Sequence, residues 1–511
     1  MRKFKISVLL KLGFYCLFLS IGLEMQARKF VHPGILHTTK SIERMRAQIA
    51  DKEYPAYGSF ELLKSHHCSQ ADYQPFGPFE IISRDGEFRH TKSKMEQDFS
   101  AVYQNALMWV LTGEKTHAEK SLELLLGYAG TLKRIPETND APLLVGLEGL
   151  KIIYATEILR HTYKKMTVVQ FNEISRMIRE VFLPVMENFY HRKPYTNGNW
   201  GPIVTKAYMA AAILWDNEEM YNKAVDFYLH ANDNGTIAHY ISGDTGQIQE
   251  SGRDQGHSML GIGALATVCE IAWQQGDDLY SALDNRLMKG FEYVAKYNLG
   301  YNVPFAVWKD VTGKYSNWTE ISNKGRGRYM PIFEMTYNHF VIRKGMQMPY
   351  TEQVLRQIRP EGYDRDQPAF GSLLFNEAGT KKNYVDLVNP FVDSHRSRWF
   401  FFSSACRPFG MVSLSPDTDT EHSWGSGYLY DSKQIRCFSH VHNWQMSGVA
   451  VMPTVGEFKG HLGMNAYQSA FTHDGEIAKP GYHKVKLTDY DITAELTSTM
   501  RVGCLLYTSP S

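Results

Sequence analysis

The chain has 511 residues, 43% of them hydrophobic and 21% charged, with 55 Lys+Arg against 54 Asp+Glu and a net charge of +1. That length accommodates about two to four ordinary domains, and the composition excludes wholesale disorder. The balanced charge excludes an electrostatic nucleic-acid binder and a polybasic membrane-surface protein. The 6 cysteines are scattered, with no CxxC and no zinc-ligand spacing, so they spell neither a disulfide framework nor a metal ribbon.

Residues 1–27 read as a secretory signal peptide. Arg2, Lys3 and Lys5 form a basic start. An apolar run from Ile6 to Leu23 follows, interrupted by Lys11, and Met25-Gln26-Ala27 offers a small residue for cleavage. The competing reading is a membrane anchor, but the run is at the lower limit for spanning. Cys16 has no small residue before it, against a lipoprotein. The expected product is periplasmic or secreted, without stable membrane insertion after cleavage.

From about residue 95 to 345 the apolar period is helical. Asp98–Leu111 carries one helix stopped by Gly113, a second runs from about Thr116 to Tyr128, and others are predicted over 142–162, 167–189, 201–215, 219–231, 254–275, 281–297 and 331–344. Recurrent helix pairs with short polar connectors point to an α/α solenoid or closed toroid. Pro360, Gly362, Pro368, Gly371 and Gly379 predict a linker over 351–382. Beyond it, short runs bounded by Gly and Pro (384–388, 410–414, 448–452, 482–487) read as strands of a β-sandwich.

Several motifs carry a family resemblance. His32-Pro-Gly-Ile-Leu-His37 with Arg44 and Met45, Asn197-Gly-Asn-Trp-Gly201, Glu250-Ser-Gly-Arg-Asp-Gln-Gly-His257, Tyr297 to Pro304 and Tyr337-Asn-His339 follow in that order. Through them residues 28–350 resemble the alginate lyase family of polysaccharide lyases. The resemblance implies an (α/α) barrel that cleaves acidic polysaccharide by β-elimination. Tyr384 to Phe391, Arg407 to Met411, Ser415 to Thr418, Trp424 to Tyr428 and Phe438-Ser-His440 resemble the N-terminal domain of family 92 α-mannosidases over 383–503. That resemblance implies a sugar-contacting β-sandwich whose family partners, the catalytic carboxylates and a calcium site, lie in a later domain. Residues 504–511 look unlike the family's continuation and are expected to be extraneous, the natural chain being longer. The whole is expected to be a multidomain α and β chain.

A uronate lyase must neutralise the carboxylate at C5, take the C5 proton and protonate the oxygen leaving C4. Asn199, just before a helix predicted to begin near Trp200, can donate to that carboxylate; the alternative is a plain helix N-cap. The family's usual His after this Asn is replaced by Trp200. Arg253 and His257 share a face if the helix starts by 253, so Arg253 would hold the carboxylate and tune the imidazole while His257 acts as base; the alternative is a solvated ion-pair face. Trp200, Glu250, Gln255 and Tyr301 are candidate substrate contacts. Tyr195, Tyr240, Tyr301 and Tyr337 are candidate acids that the sequence does not rank. His66-His-Cys68 lacks a spaced fourth ligand and reads as a surface cluster, so no metal and no cofactor are expected. His440 and His442 alternate along a predicted strand. The expected partner is an acidic polysaccharide, not a nucleic acid. Two rival readings remain at this level: a glycoside hydrolase using Glu250 and Asp254, and a non-catalytic glycan-binding protein.

Overall fold

The structure is a computed structural model, and it describes residues 28–509 except 193, 196, 316, 379–387, 396–402, 404, 419–426, 443–445 and 448. The signal-peptide expectation over 1–27 therefore lies outside the described residues. The chain divides into two compact units, Met1–Lys381 and Lys382–Ser511.

The first unit is helical. Its principal helices are Lys92–Thr112, Lys115–Thr131, Leu150–Thr162, Val168–Met177, Leu183–His191, Trp200–Leu214, Glu218–His230, Gln255–Gln274 and Ala282–Asn298. Two of them differ from the rest. Every residue of Trp200–Leu214 is buried, and so is nearly all of Gln255–Gln274 from Ser258 to Ala272. A helix apolar all round must be wrapped by others, and these two pack against each other and against their neighbours. Glu218–His230 and Val168–Met177 instead bury a single stripe. Gly113, at φ 77°, closes Lys92–Thr112 by donating its N–H to the Trp109 carbonyl, the left-handed stop its position predicts.

Three features were not anticipated. Thr39–Ala50 and Ala56–Ser65 are helices, the first capped by Thr38, whose side chain accepts from the Ser41 N–H. The expected linker over 351–382 is corrected: Pro349–Ile358 is a helix, and Val354, Leu355, Phe370, Leu373, Leu374 and Phe375 are buried in the core. The Gly and Pro residues there shape a packed return of the chain. Glu361 accepts the Phe333 and Glu334 N–H groups (3.0 and 3.3 Å) at the start of helix Phe333–Tyr337, ends that would otherwise be orphaned.

The second unit holds small antiparallel sheets. The largest has four strands in the order Gly503–Thr508, Ile492–Ser498, Tyr482–Leu487, Ile477–Lys479. Burial alternates along Ile492–Ser498, and Val485, Leu487, Ile492, Ala494 and Leu496 form its core, the period-2 pattern of a half-buried strand. Residues 504–508, expected to be extraneous, pair with Ile492–Ser498 from Gly503↔Ser498 to Thr508↔Thr493. Of the other predicted strands, 410–414 contributes only a bridge, Ala405↔Leu414, and 448–452 only Phe438↔Val451; 384–387 lies outside the described residues.

Candidate active site

The polar cluster is built by a tight reversal of the chain. Ile241 and Ile248 bridge, Gln249 donates to the Tyr240 carbonyl, and a turn over Glu250–Asp254 closes with Arg253 N–H to Glu250 carbonyl at 2.9 Å. Helix Gln255–Gln274 then begins. Gly261 lets it approach: a Cβ there would stand 1.9 Å from the Tyr240 hydroxyl oxygen.

Glu250, fully buried, is the hub. Its Oε2 accepts from Asn199 Nδ2 (2.8 Å), the Asn199 N–H (3.2 Å) and the Tyr240 hydroxyl (3.0 Å), and its Oε1 accepts from Arg253 Nη1 (2.8 Å). A carboxyl at the N-terminus of Trp200–Leu214 also suits the helix dipole. Arg253 Nη1 reaches Asn197 Oδ1 (3.2 Å), which accepts from the Tyr315 hydroxyl as well (2.6 Å). The Tyr240 hydroxyl stands 3.1 Å from the His257 carbonyl. Its pKa is pushed well above the ordinary tyrosine value by burial and then by Glu250.

His257 belongs to a second arrangement. Asp254 is the N-cap of its helix, accepting the His257 N–H at 2.8 Å, and its carboxylate also holds His257 Nδ1 at 2.8 Å. Burial alone would raise the Asp254 carboxyl; the His257 N–H and ring outweigh it and hold the carboxyl below its usual range. A carboxylate only accepts, so Nδ1 donates, and the Nε2 of a neutral ring is left as an acceptor. The His257 side chain is 38% exposed. It faces a cleft of about 540 Å³ lined also by Asp254, Leu260, Lys324, Arg328, Tyr329 and Asp366. Lys324 Nζ lies 3.8 Å from Asp254 Oδ2, and the Gln255 N–H pins the Lys324 carbonyl at 2.9 Å.

The structure thus brings Asn199, Glu250 and Arg253 into one cluster, joined to His257 through Tyr240 and the Glu250–Asp254 turn. Several expectations change. The helix starts at Gln255, so Arg253 precedes it and pairs with Glu250 and Asn197, while Asp254 takes the imidazole. Asn199 is at the N-cap position but makes no side-chain cap; its amide is committed to Glu250 and the residue is 1% exposed. Trp200 is buried with its ring 4.8 Å from that of Tyr195, which removes it as an open sugar platform. Gln255 is buried, donating to the Ser322 carbonyl (2.9 Å) and accepting from Asn298 (3.1 Å), a tie from the start of its helix to a loop and to the end of Ala282–Asn298 rather than a substrate contact. Tyr301 is held elsewhere, edge-on to Tyr350 and with its carbonyl on Arg326. Sequence reasoning missed the Asp254–His257 pair and the cleft residues Lys324, Arg328 and Tyr329. An Asp three residues before a His at the mouth of an apolar helix, and the basic run Lys324-Gly-Arg-Gly-Arg328, were the available signals.

Comparison with known proteins agrees with this division. Residues 62–303 match the alginate lyase family model, and residues 387–511 match that of the glycosyl hydrolase family 92 N-terminal domain. The first unit therefore resembles the alginate lyase family and the second the family 92 N-terminal domain. The apo form of a variant of alginate lyase A1-III aligns over 70% of this chain and 99% of its own, at 13% identity and a TM-score of 0.50, a likeness of fold. The same lyase from Sphingomonas species A1 aligns over 66% of this chain and 94% of its own, at 12% identity and a TM-score of 0.48. A family GH92 α-mannosidase from Bacteroides thetaiotaomicron is 33% identical over 25% of this chain, with a TM-score of 0.22, and this chain spans 18% of that protein's length. No curated protein matches the chain significantly. Among the described residues no helix is long and apolar enough to cross a membrane.

Proposed function

We propose that the helical unit, an (α/α) barrel, is an exported polysaccharide lyase that cleaves a uronic-acid-containing, alginate-like polysaccharide by β-elimination. The observation that carries this reading is the Asp254–His257 pair opening on a cleft that also presents Lys324 and Arg328, in a unit that resembles the alginate lyase family. The cationic groups draw in a polyanionic chain. Arg253, about one-quarter exposed at its side chain (27%), meets the uronate carboxylate and stabilises the charge that builds on it as the proton leaves. His257 Nε2 takes the C5 proton. The C–H electron pair becomes the C4–C5 double bond, the C4–O bond breaks, and Tyr329, the tyrosine lining the same cleft, protonates the departing oxygen. Asn199 is a positioning residue: through Glu250 it fixes where Arg253 stands. The family 92 domain contacts carbohydrate.

The test is incubation of the purified chain with alginate, glucuronan and glycosaminoglycans, following ultraviolet-absorbing unsaturated uronate together with new reducing ends. Both rise together for a lyase, and Tyr329→Phe slows the reaction. Reducing ends without unsaturation would replace this reading by hydrolysis through Glu250 and Asp254, and binding without turnover by a glycan-binding role.

A further inference from the structure

The motif around His32 takes no part in the cleft, and the structure gives it different company. Glu157 and His161 are four apart on helix Leu150–Thr162, so they share a face one turn apart. His32 comes to them from the segment before the first helix. Its Nδ1 is 2.7 Å from Glu157 Oε1, and His161 Nε2 is 3.4 Å from Glu157 Oε2. The two imidazoles stack with centroids 4.6 Å apart and planes 14° from parallel. One ligand atom from each of the three residues lies within 4.8 Å of the other two.

We propose that His32, Glu157 and His161 form a binding site for a divalent cation of the zinc type. Two imidazole nitrogens and one carboxylate are a donor set suited to zinc, and too rich in nitrogen for calcium or magnesium. Tetrahedral coordination at ordinary zinc distances separates ligand atoms by about 3.3 Å, so the short His32–Glu157 contact has to open and the three ligand atoms have to draw in around the ion from within 4.8 Å of one another. Two observations independent of the clustering point to a ligand. Glu157 is 1% exposed, yet its Oε2 has only the long 3.4 Å approach of His161 Nε2 and no well-formed hydrogen bond; a buried acceptor so weakly served is costly, and a cation satisfies it. Asp216 Oδ1 holds the outer nitrogen of His32, Nε2, at 3.1 Å, the arrangement by which a carboxylate orients a metal-bound imidazole. The cluster borders a cavity of about 520 Å³ lined by His32, His161, Trp215 and Asp216, which leaves room for water at the fourth position. Two arginines of that cavity have their charge laid on aromatic faces, Arg160 over Phe171 at 4.7 Å and Arg179 over Trp215 at 3.9 Å. A cation here staples the chain around His32 to helix Leu150–Thr162 and to the Asp216 turn.

The full chain, stripped with a chelator, is titrated with zinc chloride alone and the bound metal counted by mass spectrometry. One zinc per chain is expected, absent in His161→Ala, whose target is one-third exposed (32%). At zinc a hundredfold above its dissociation constant the folded-to-unfolded ratio rises about 100-fold, read as a higher Tm in the wild type and no change in the variant. Asp216→Asn, at an exposed carboxylate, keeps the fold and weakens binding about 10–100-fold, which holds the test open if His161→Ala misfolds. His67→Ala is the control, because His66, His67 and Cys68 are the other grouping of metal-type ligands among the described residues; it leaves the stoichiometry at one. No bound zinc, undiminished zinc in His161→Ala, undiminished affinity in Asp216→Asn, or loss of zinc in His67→Ala would overturn the proposal.

Discussion

His257 in the helical unit and His442 in the sheet-bearing unit are each held by an aspartate, and they end in opposite environments. His442 and Asp417 are both 0% exposed at their side chains. His442 Nε2 meets Asp417 Oδ1 and its Nδ1 meets the Ser413 carbonyl, both at 2.5 Å, while Ser439 donates to Asp417 Oδ2 at 2.7 Å. Ser, His and Asp stand together as in a nucleophile triad, but both ring nitrogens are occupied and the His442 and Asp417 side chains are buried. Glu476 is used the same way, clamped by His473, His483 and Tyr428 in the interior. In the helical unit the aspartate occupies one ring nitrogen and the other faces a cleft. The same pair of residue types is a fastener in one region and a candidate base in the other, and the free nitrogen decides which.

Substituting the two histidines gives the largest expected effects and tests that contrast directly. His257→Ala should lower kcat about 10²–10⁴-fold with little change in KM, because the proton is in flight only in the transition state, and its Tm should stay near wild type. His442→Ala should leave elimination intact and destabilise the second unit by about 3–5 kcal/mol, the cost of breaking a buried pair. Kinetics and denaturant melts on both variants decide it; a His442→Ala enzyme that is stable and inactive would break the comparison.

Asn199→Ala should reduce elimination by about 10²–10³-fold, the scale of a lost charge-stabilising arrangement, because Glu250 loses its 2.8 Å donor and Arg253 its fixed position. Steady-state assays test this, and an unchanged rate would detach Asn199 from the site.

A pH slope set by Glu361 bears on stability alone. Burial, and then the neighbouring Glu334 carboxylate, push its carboxyl up to about 8, while in the unfolded chain it ionises near the ordinary value. Between those two values the folded state binds the extra proton, so stability falls as pH rises, by about 1.4 kcal/mol per pH unit for one proton. Urea melts from mildly acidic to mildly alkaline pH should show that decline, and Glu361→Gln should flatten it.

The apolar period located nearly all the long helices within a few residues, because a 3.6-residue stripe is written locally. The sheet-bearing region was harder. Strands such as Ser415–Asp417 and Cys437–Ser439 have three residues each, too few for an alternation to register, and their pairing is set by partners distant in sequence. In the site, the segment Glu250–His257 stood out as polar residues opening an apolar helix. The assignment of partners within it failed because the helix begins two residues later than Arg253 requires, with Asp254 rather than Arg253 beside the imidazole.

By itself the sequence determined the division into a helical and a sheet-bearing part, the family resemblance of each, and the stretch of chain around which the chemistry gathers. Tertiary structure alone decided that Trp200 and Gln255 are sealed, that Glu250 gathers Asn199, Tyr240 and Arg253, that His257 keeps a nitrogen open to a cleft, and that His32 meets Glu157 and His161 from far along the chain. The reason is that burial and hydrogen-bond partnership sum over neighbours brought together only by packing, whereas periodicity and capping are settled within a turn or two of the residue itself.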